Sequence, residues 1–427
     1  MYKKIVLENG LKIISLNMPQ RQSVGLGVWV AVGGRYENLQ NKGIAHFLEH
    51  LAFKGTKKYS CREIKESLEG VGGSLNGFTA EEFTCYLAKV PAKYLNLGLD
   101  ILMDMVFNPL LKEEDVEKER AVIIEEIKMY KDLPQHYVQE LLNLLLWPDQ
   151  PLGLSLAGSI ESVSGIKQQD MIGFQKKYYG PANVVVAVCG NLEPQKVVAK
   201  APKGLAKNIP SDKITFLPSN NQQTQPRINL FFKETEQSHL AIGFLGVKRD
   251  HPDRHAAGLL NVILGANMSS RLFEEIREKR GLAYSIHSHN KCLNDTGCFT
   301  IDAGVDNRKV YDTVELILRE LQRIKEDGIL KNEFMRAKEY YVGQLMLSLE
   351  DTLEHMLWIG ESTTSLNKTF TQEQILAEIK KIGAQDIKRV ANDIFKGCKV
   401  NLALIGPSAK SEEDRIKKII LDSLVLK

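Results

Sequence analysis

The chain has 427 residues, more than one small core needs, so two or more domains are expected. Hydrophobic residues make up 43% and charged residues 26%, the proportions of an ordinary folded protein. The net charge of +3, carried by dispersed lysines and arginines, argues against a nucleic-acid partner, and no stretch predicts a membrane span.

The N-terminus is predicted to fold from its first residues. Residues 1–14 read as a strand, an Asn9-Gly10 turn and a second strand, so no signal or transit peptide is expected. The six cysteines are scattered, without a C-x-x-C pair, and are expected to be reduced thiols. These features predict a cytoplasmic protein.

The next elements follow from hydrophobic periodicity and from glycine punctuation. Residues 24–32 predict a buried strand, residues 61–69 a helix, and residues 72–87 two strands with glycines where another backbone approaches. Further helices are predicted over residues 92–107, 113–130 and 134–146.

A short helix at residues 43–55 carries the strongest chemical pattern. His46, Glu49 and His50 stand at i, i+3 and i+4, so they share one helix face. Two imidazoles four residues apart can bind one Zn²⁺, and the carboxylate before the second histidine can accept a proton from water, as in the inverted zincin motif H-x-x-E-H. The alternative is a partly buried helix whose histidines only form hydrogen bonds.

A catalytic zinc site needs a third protein ligand. In the helix of residues 113–130, Val116, Ile123 and Ile127 define a buried face, with Glu119 and Glu126 together on its flank. Glu125 points almost directly opposite and is predicted to be solvated. Either flank carboxylate could complete the site, and both could equally be ordinary helix-edge acids.

Two other histidine pairs are weaker candidates for a metal site. His251 and His255 are four residues apart, but Pro252 is expected to open a helix and leave His251 outside it. His287 and His289 share a strand face without a catalytic carboxylate beside them. Both pairs are therefore interpreted as structural.

An internal repeat indicates two homologous domains. Residues 166–190 match residues 382–406 at a constant offset of 216 residues, each copy reading as an amphipathic helix and a strand that ends at glycine. The prediction is a catalytic domain at 1–205, a linker at 206–226 and a homologous domain at 227–427. The second copy has no His or Glu at the position of the zinc motif.

The ordered motifs resemble those of the pitrilysin-type (M16) zinc metallopeptidases, specifically the processing-peptidase β-subunits and their bacterial single-chain relatives. The resemblance covers nearly the whole chain, through residues 34–37, 46–56, 75–79, 119–126, 149–153 and 270–285. It implies an α+β fold of two homologous domains, each an antiparallel-rich sheet covered by helices in a two-layer sandwich. It also implies a Zn²⁺ cofactor and a bacterial source.

The resemblance assigns roles at the metal site. The family's third ligand is a glutamate 76 residues after the second motif histidine, which is Glu126 when counted from His50. His46, His50 and Glu126 are then the zinc ligands and Glu49 is the catalytic base. Glu119 joins the catalytic group as a carboxylate behind the ligands.

The resemblance also implies how peptide substrates bind. Asn76 and Gly77 would lie on the edge strand to which an extended peptide adds, and Gly77 departs from the alanine frequent in relatives. Arg280 and Tyr284 resemble a pair that holds substrate near the scissile bond, and in a homodimer they would complete the site of the other chain. One of two acids that read arginine in relatives is present as Glu140, whereas His136 replaces the other.

The predicted function is therefore a zinc metalloendopeptidase that hydrolyses short or unfolded peptides. The alternative is a non-catalytic subunit of the same fold that binds peptides or supports an assembly. Relatives of that kind have usually lost parts of H-x-x-E-H, and this chain keeps the whole motif.

Overall fold

The computed structural model describes residues 2–200, 214–220, 222–407 and 413–423. By their contacts these residues form two compact units. The first unit comprises residues up to 128, 154–217 and 345–372, and the second comprises residues 129–153, 218–344 and 373 onward. Of the predicted linker, residues 206–213 and 221 lie outside the described part, and the rest of it contains no helix or strand.

The first unit is built on a six-stranded sheet in the order β1-β2-β6-β3-β5-β4. Its predicted N-terminal hairpin is confirmed, because β1 and β2 pair antiparallel around a turn in which Gly10 has a φ of 87°. The pair β2 and β6 is parallel and the other neighbours are antiparallel. The strands are β1 (Lys3–Val6), β2 (Lys12–Asn17), β3 (Ser23–Val30), β4 (Ser74–Thr79), β5 (Thr84–Pro91) and β6 (Val184–Gly190).

One face of this sheet packs on helices from the N-terminal half of the chain, in a core that includes Phe47, Leu51 and Ile123. The helices that the sequence predicts are confirmed to within three residues at their ends. They are α1 (Ile44–Ala52), α2 (Cys61–Glu69), α3 (Leu95–Phe107), α4 (Glu113–Asp132) and α5 (Pro134–Leu146), the last of which belongs to the second unit. Helix α7 (Gln168–Tyr178) is the predicted helix of the repeat, whereas α6 (Ile160–Gly165) and α8 (Pro194–Lys200) were not predicted.

The second unit repeats the topology of the first. Its five-stranded sheet has the order β7-β11-β8-β10-β9, with one parallel pair, β7 and β11. In this order the five strands correspond to β2, β6, β3, β5 and β4 of the first sheet. The duplication inferred from residues 166–190 and 382–406 therefore has a structural counterpart. The strands are β7 (Arg227–Phe232), β8 (Gln237–Leu245), β9 (Ala283–Cys292), β10 (Gly297–Asp306) and β11 (Asn401–Gly406).

Helices cover this second sheet around a core that includes Phe244, Phe299 and Phe395. As predicted, His251 lies outside the helix that follows Pro252. The helices in the C-terminal half of the chain are α9 (Arg254–Leu264), α10 (Val310–Asp327), α11 (Lys331–Ser348), α12 (Thr352–Leu366), α13 (Gln372–Lys381), α14 (Ala384–Ile394) and α15 (Glu413–Ser423), of which α12 belongs to the first unit. A π-helical turn lies at Phe273–Glu278. The predicted α+β class with two sheets covered by helices is confirmed.

Each unit contains one helix from the other half of the sequence. Helix α12 packs on the second face of the first sheet, where Met356 and Ile359 belong to the same buried cluster as Trp29. Helix α5 packs in the same way on the second sheet through Leu141 and Leu142. The division at 1–205, 206–226 and 227–427 stays a prediction about the duplication, whereas contacts group the chain by this exchange.

Small residues permit the close approach of α12. A Cβ atom at Gly27 would overlap the Met356 sulfur, and one at Gly360 would overlap the Trp29 indole. The glycine-spaced run of β3 therefore serves helix packing as well as strand burial.

Candidate metal centre

The helix that carries the zinc motif is fixed at its start by a buried carboxylate. Gly43 opens α1 with a φ of 95°, and Glu37 accepts hydrogen bonds from the backbone N–H groups of Gly43 (3.1 Å) and Ala45 (2.8 Å). Lys42 lies 3.1 Å from the same carboxylate. Glu37 thus supplies the cap that glycine cannot, and it orients the helix on which the site depends.

The side chains of His46 and His50 on α1 meet that of Glu126 on α4. Glu126 Oε2 lies 3.8 Å from His46 Nε2 and 3.7 Å from His50 Nε2. The ligand atoms of the three residues lie within 4.8 Å of one another, and they form the one such group of histidine, cysteine, aspartate or glutamate found among the described residues. Helical spacing brings the two histidines together, and tertiary packing adds Glu126.

The donor set fits a zinc ion. Two ligand atoms of a tetrahedral zinc, each about 2.1 Å from the metal, are roughly 3.4 Å apart, close to the separations of 3.7 and 3.8 Å in this site. The side chains of His46, His50 and Glu126 are 13%, 22% and 22% exposed, so the group is partly accessible to solvent. Two imidazoles with one carboxylate are a known set for catalytic zinc.

The structure places the two candidate acids of α4 in different positions. Glu126 faces the histidines directly, whereas Glu119 Oε2 accepts a hydrogen bond from His50 Nδ1 at 3.2 Å. Glu125 is 72% exposed and pairs with Lys128, as its predicted solvation requires. Because His50 donates its Nδ1 proton to Glu119, its Nε2 lone pair is directed to the site.

Lys54 is a functional neighbour that the sequence reading missed. Its Nζ lies 2.6 Å from Glu119 Oε1, and the Glu119 side chain is only 8% exposed. Lys54 therefore holds the carboxylate that orients His50. Its position four residues after His50 was the signal available in the sequence, which does not show that Glu119 is its partner.

The environment keeps His46 neutral. Burial, and next the charge of His50, lower its pKa to about 4, so the imidazole has its lone pair available well below neutral pH. Its Nδ1 is buried and makes no hydrogen bond within the described part of the chain.

Glu49 lies beside the three ligands and is 8% exposed. Burial raises the pKa of its carboxyl, an effect opposed by His50 and by a 3.4 Å hydrogen bond from Thr79 Oγ1. A raised pKa makes the carboxylate a better proton acceptor. A Cβ atom at Gly77 would lie 2.8 Å from Glu49 Oε1, so Gly77 gives this side chain room rather than only loosening the strand.

The predicted peptide-binding residues are divided between the units. Asn76 and Gly77 lie on β4, which is the edge strand of the first sheet, and the exposed Asn76 side chain accepts a 2.8 Å hydrogen bond from Gly77 N–H. Glu140 lies half-buried on α5 in the second unit. Arg280 and Tyr284 also belong to the second unit, with Tyr284 at the start of the edge strand β9 and 76% exposed.

The rival histidine pairs do not form metal sites within the described residues. His255 lies 3.3 Å from Glu378 on α13. His289 lies 3.1 Å from Asp302 on the neighbouring strand, a carboxylate that the sequence did not place there.

None of the helices in the described residues combines the length and the hydrophobicity of a membrane span.

Sequence comparison places these features in a family. Residues 12–159 match the model of insulinase (peptidase family M16), and residues 165–341 match that of the peptidase M16 inactive domain. An uncharacterized zinc protease of Bacillus subtilis is 37% identical over 408 residues, covering 96% of this chain and 99% of the relative. A similarly named protein of Streptomyces coelicolor is 36% identical, with 97% and 91% covered.

Solved structures agree with the sequence comparison. A protease from Helicobacter pylori superposes with a TM-score of 0.91 at 25% identity, covering 95% of this chain and 99% of the other. A protein from Pseudomonas fluorescens described as a peptidase M16 inactive domain shares the fold, with a TM-score of 0.86 at 19% identity and 96% and 98% covered. The predicted family and zinc cofactor are confirmed: the chain belongs to the zinc-dependent peptidase family M16.

Proposed function

We propose that this protein is a zinc metalloendopeptidase that cleaves peptide bonds in short or unfolded peptides, in the manner of a processing peptidase. The observation that carries the proposal is the meeting of His46, His50 and Glu126, with the buried carboxylate of Glu49 beside them. Family membership supports the hydrolase activity, and the local geometry supports the assignment of residues.

In this proposal His46, His50 and Glu126 hold the metal. When bound, zinc polarises the scissile carbonyl and makes water nucleophilic near neutral pH. Glu49 accepts one proton of the attacking water and delivers it to the leaving amine nitrogen as the C–N bond breaks. Glu119, anchored by Lys54, keeps the proton of His50 on Nδ1.

The edge strand β4 is the proposed binding surface for the peptide backbone. Among the described strands it pairs with β5 alone, so the other edge of β4 offers N–H and C=O groups to an extended chain. Asn76 is exposed on this strand and provides a side-chain amide for the peptide backbone. Gly77 lies directly over Glu49, which keeps an added peptide close to the proposed base.

We further propose a homodimer with composite active sites. Arg280, Tyr284 and Glu140 belong to the unit that lacks the zinc ligands, and in the dimer they would contact peptide at the zinc of the partner chain. Arg280 and Tyr284 would hold the peptide near the scissile bond, and Glu140 would contact a basic residue of the substrate.

We also infer a cytoplasmic location. None of the six cysteines, all of which lie in the described part of the chain, forms a disulfide, and this is the state expected in a reducing compartment.

The decisive experiment compares the zinc-loaded wild type with Glu49→Gln on a library of quenched fluorescent peptides. The expected result is cleavage that stops on chelation, returns with zinc and is absent in the variant, while zinc binding by the variant is retained. Absence of cleavage by fully zinc-loaded wild type would refute the peptidase assignment and favour the non-catalytic alternative. Loss of zinc from the variant would refute the role of Glu49 as base.

A mixing experiment tests the composite site. At peptide concentrations below the wild-type KM, Glu49→Gln is expected to be inactive and Arg280→Met nearly so, but a heterodimer contains one site with Glu49 and Arg280 both intact. After dissociation and reassociation, an equal mixture should regain about a quarter of the wild-type sites, because half of the dimers are mixed and half of their sites are complete. A mixture that stays inactive would show that each chain uses its own Arg280.

A further inference from the structure

A π-helical turn, Phe273–Glu278, lies shortly before strand β9 in the second unit. The N–H group of Lys279 donates to the carbonyl of Glu274 five residues earlier, at 3.0 Å. Turns of this kind are rare and often mark functional sites. This turn immediately precedes Arg280 and Tyr284, to which the proposed function gives contacts with the peptide.

The turn holds Arg280 through a single residue. Arg280 Nη1 donates to Glu275 Oε2 at 2.6 Å and to the Glu275 carbonyl oxygen at 2.7 Å. The Glu275 side chain is 18% exposed, whereas that of Arg280 is 46% exposed. Both bonds use one nitrogen, and the other N–H groups of Arg280 make no hydrogen bond within the described residues. The guanidinium is thus held at one end and open at the other.

The remaining contacts of the turn also hold Glu275 and Tyr284 in place. Lys279 Nζ lies 2.6 Å from Glu275 Oε1, so each carboxylate oxygen of Glu275 has its own cation. The Arg277 guanidinium lies 4.6 Å from the buried Phe273 ring and 5.8 Å from the exposed Tyr284 ring. Arg277 thus links the tyrosine to the core through cation–π contacts.

We propose that Glu275 is a positioning residue for substrate: it fixes the Arg280 guanidinium so that its open N–H groups can bind a backbone carbonyl of the peptide. The inference rests on the proposed function, because it assigns Glu275 a role through Arg280. An arginine that is already ordered loses less rotamer freedom on binding than a free one. Glu275 therefore increases affinity without touching the peptide itself.

Peptide binding is measured without turnover in zinc-loaded, full-length Glu49→Gln protein, by the fluorescence anisotropy of a fluorescein-labelled unstructured peptide. Glu275→Gln in this background is expected to raise the Kd about tenfold, which corresponds to the ordering cost of one long side chain. The matched control is Glu274→Gln, which makes the same charge change at an exposed neighbour on the same turn and should stay within about twofold. Lys279→Met should also stay within about twofold, because Arg280 keeps both of its bonds.

A double-mutant cycle shows whether Glu275 acts through Arg280. Arg280→Met weakens binding, and adding Glu275→Gln to it should cause no further loss. In the catalytically intact background, Glu275→Gln should raise KM about tenfold and leave kcat within about twofold. Unchanged Kd, tighter binding, or a full additional loss on top of Arg280→Met would overturn the proposal.

These outcomes are independent of the peptidase assignment. Peptide binding by Glu49→Gln without cleavage by the wild type would remove the proposed function alone. Cleavage by the wild type with equal Kd values for Glu275→Gln and Glu274→Gln would remove the positioning role alone.

Discussion

Replacing Glu119 by glutamine tests how the site prepares a histidine for zinc. Both partners of Glu119 are donors: Lys54 Nζ at 2.6 Å from Oε1 and His50 Nδ1 at 3.2 Å from Oε2. Glutamine has nearly the same size, so packing is kept, but one of its two terminal atoms is an NH₂ group. One donor must then face another donor.

The charged lysine is expected to keep the amide oxygen, because charge-assisted hydrogen bonds are the stronger ones. His50 then loses its acceptor at Nδ1, and the tautomer that presents the Nε2 lone pair is no longer favoured. Loss of such a partner behind a metal ligand typically costs 10- to 100-fold in metal affinity. We therefore expect the zinc Kd of Glu119→Gln to rise by about 10- to 100-fold, or roughly 1.4–2.7 kcal/mol.

The assay is zinc competition against a chromophoric chelator at pH 7, with Glu125→Gln as the control on the same helix. The control removes a carboxylate that is 72% exposed and pairs with Lys128 rather than with the histidines. The zinc Kd of Glu125→Gln should therefore stay within about twofold of the wild type. A Glu119→Gln protein that binds zinc as tightly as the control would refute the reasoning.

Three further predictions follow from other contacts. Glu126→Gln should weaken zinc binding by more than about 100-fold, because it removes an anionic ligand, and an effect equal to that of Glu125→Gln would exclude it as a ligand. Gly360→Val should lower the free energy of unfolding by about 2 kcal/mol in urea titrations, since a side chain there overlaps the indole beneath α12, and a neutral result would contradict the close packing. Arg389 pairs with Asp253 at 2.6 Å and holds the pKa of that carboxyl below its usual range, so the pair stabilises the fold above about pH 4 and loses this effect as the pH falls through the lowered pKa. Arg389→Met should therefore cost about 1 kcal/mol at pH 7 and progressively less as the pH falls below about 4, and a loss that grows on acidification would show that the sign is wrong.

Local pattern was sufficient to place several helices in the N-terminal half of the chain. The helix at Cys61–Glu69 and the helix at Pro134–Leu146 begin and end at the predicted residues, because a capping serine and an N-terminal proline mark their starts. His251 was correctly placed outside its helix for the same reason. The carboxylate beside His289 was missed, since Asp302 reaches it across a strand pair whose register the sequence does not state.

The sequence alone determined that His46, Glu49 and His50 share a helix face, because helical geometry places residues three and four apart side by side. It also indicated the duplication, and by resemblance the family. Only the tertiary structure brought Glu126 to within 3.8 Å of the histidines. It also placed Lys54 Nζ 2.6 Å from Glu119 and the Glu37 carboxylate at the N-terminus of α1. The exchange of α5 and α12 between the two sheets was likewise beyond the sequence, because an amphipathic helix records which of its faces is buried but not which sheet buries it.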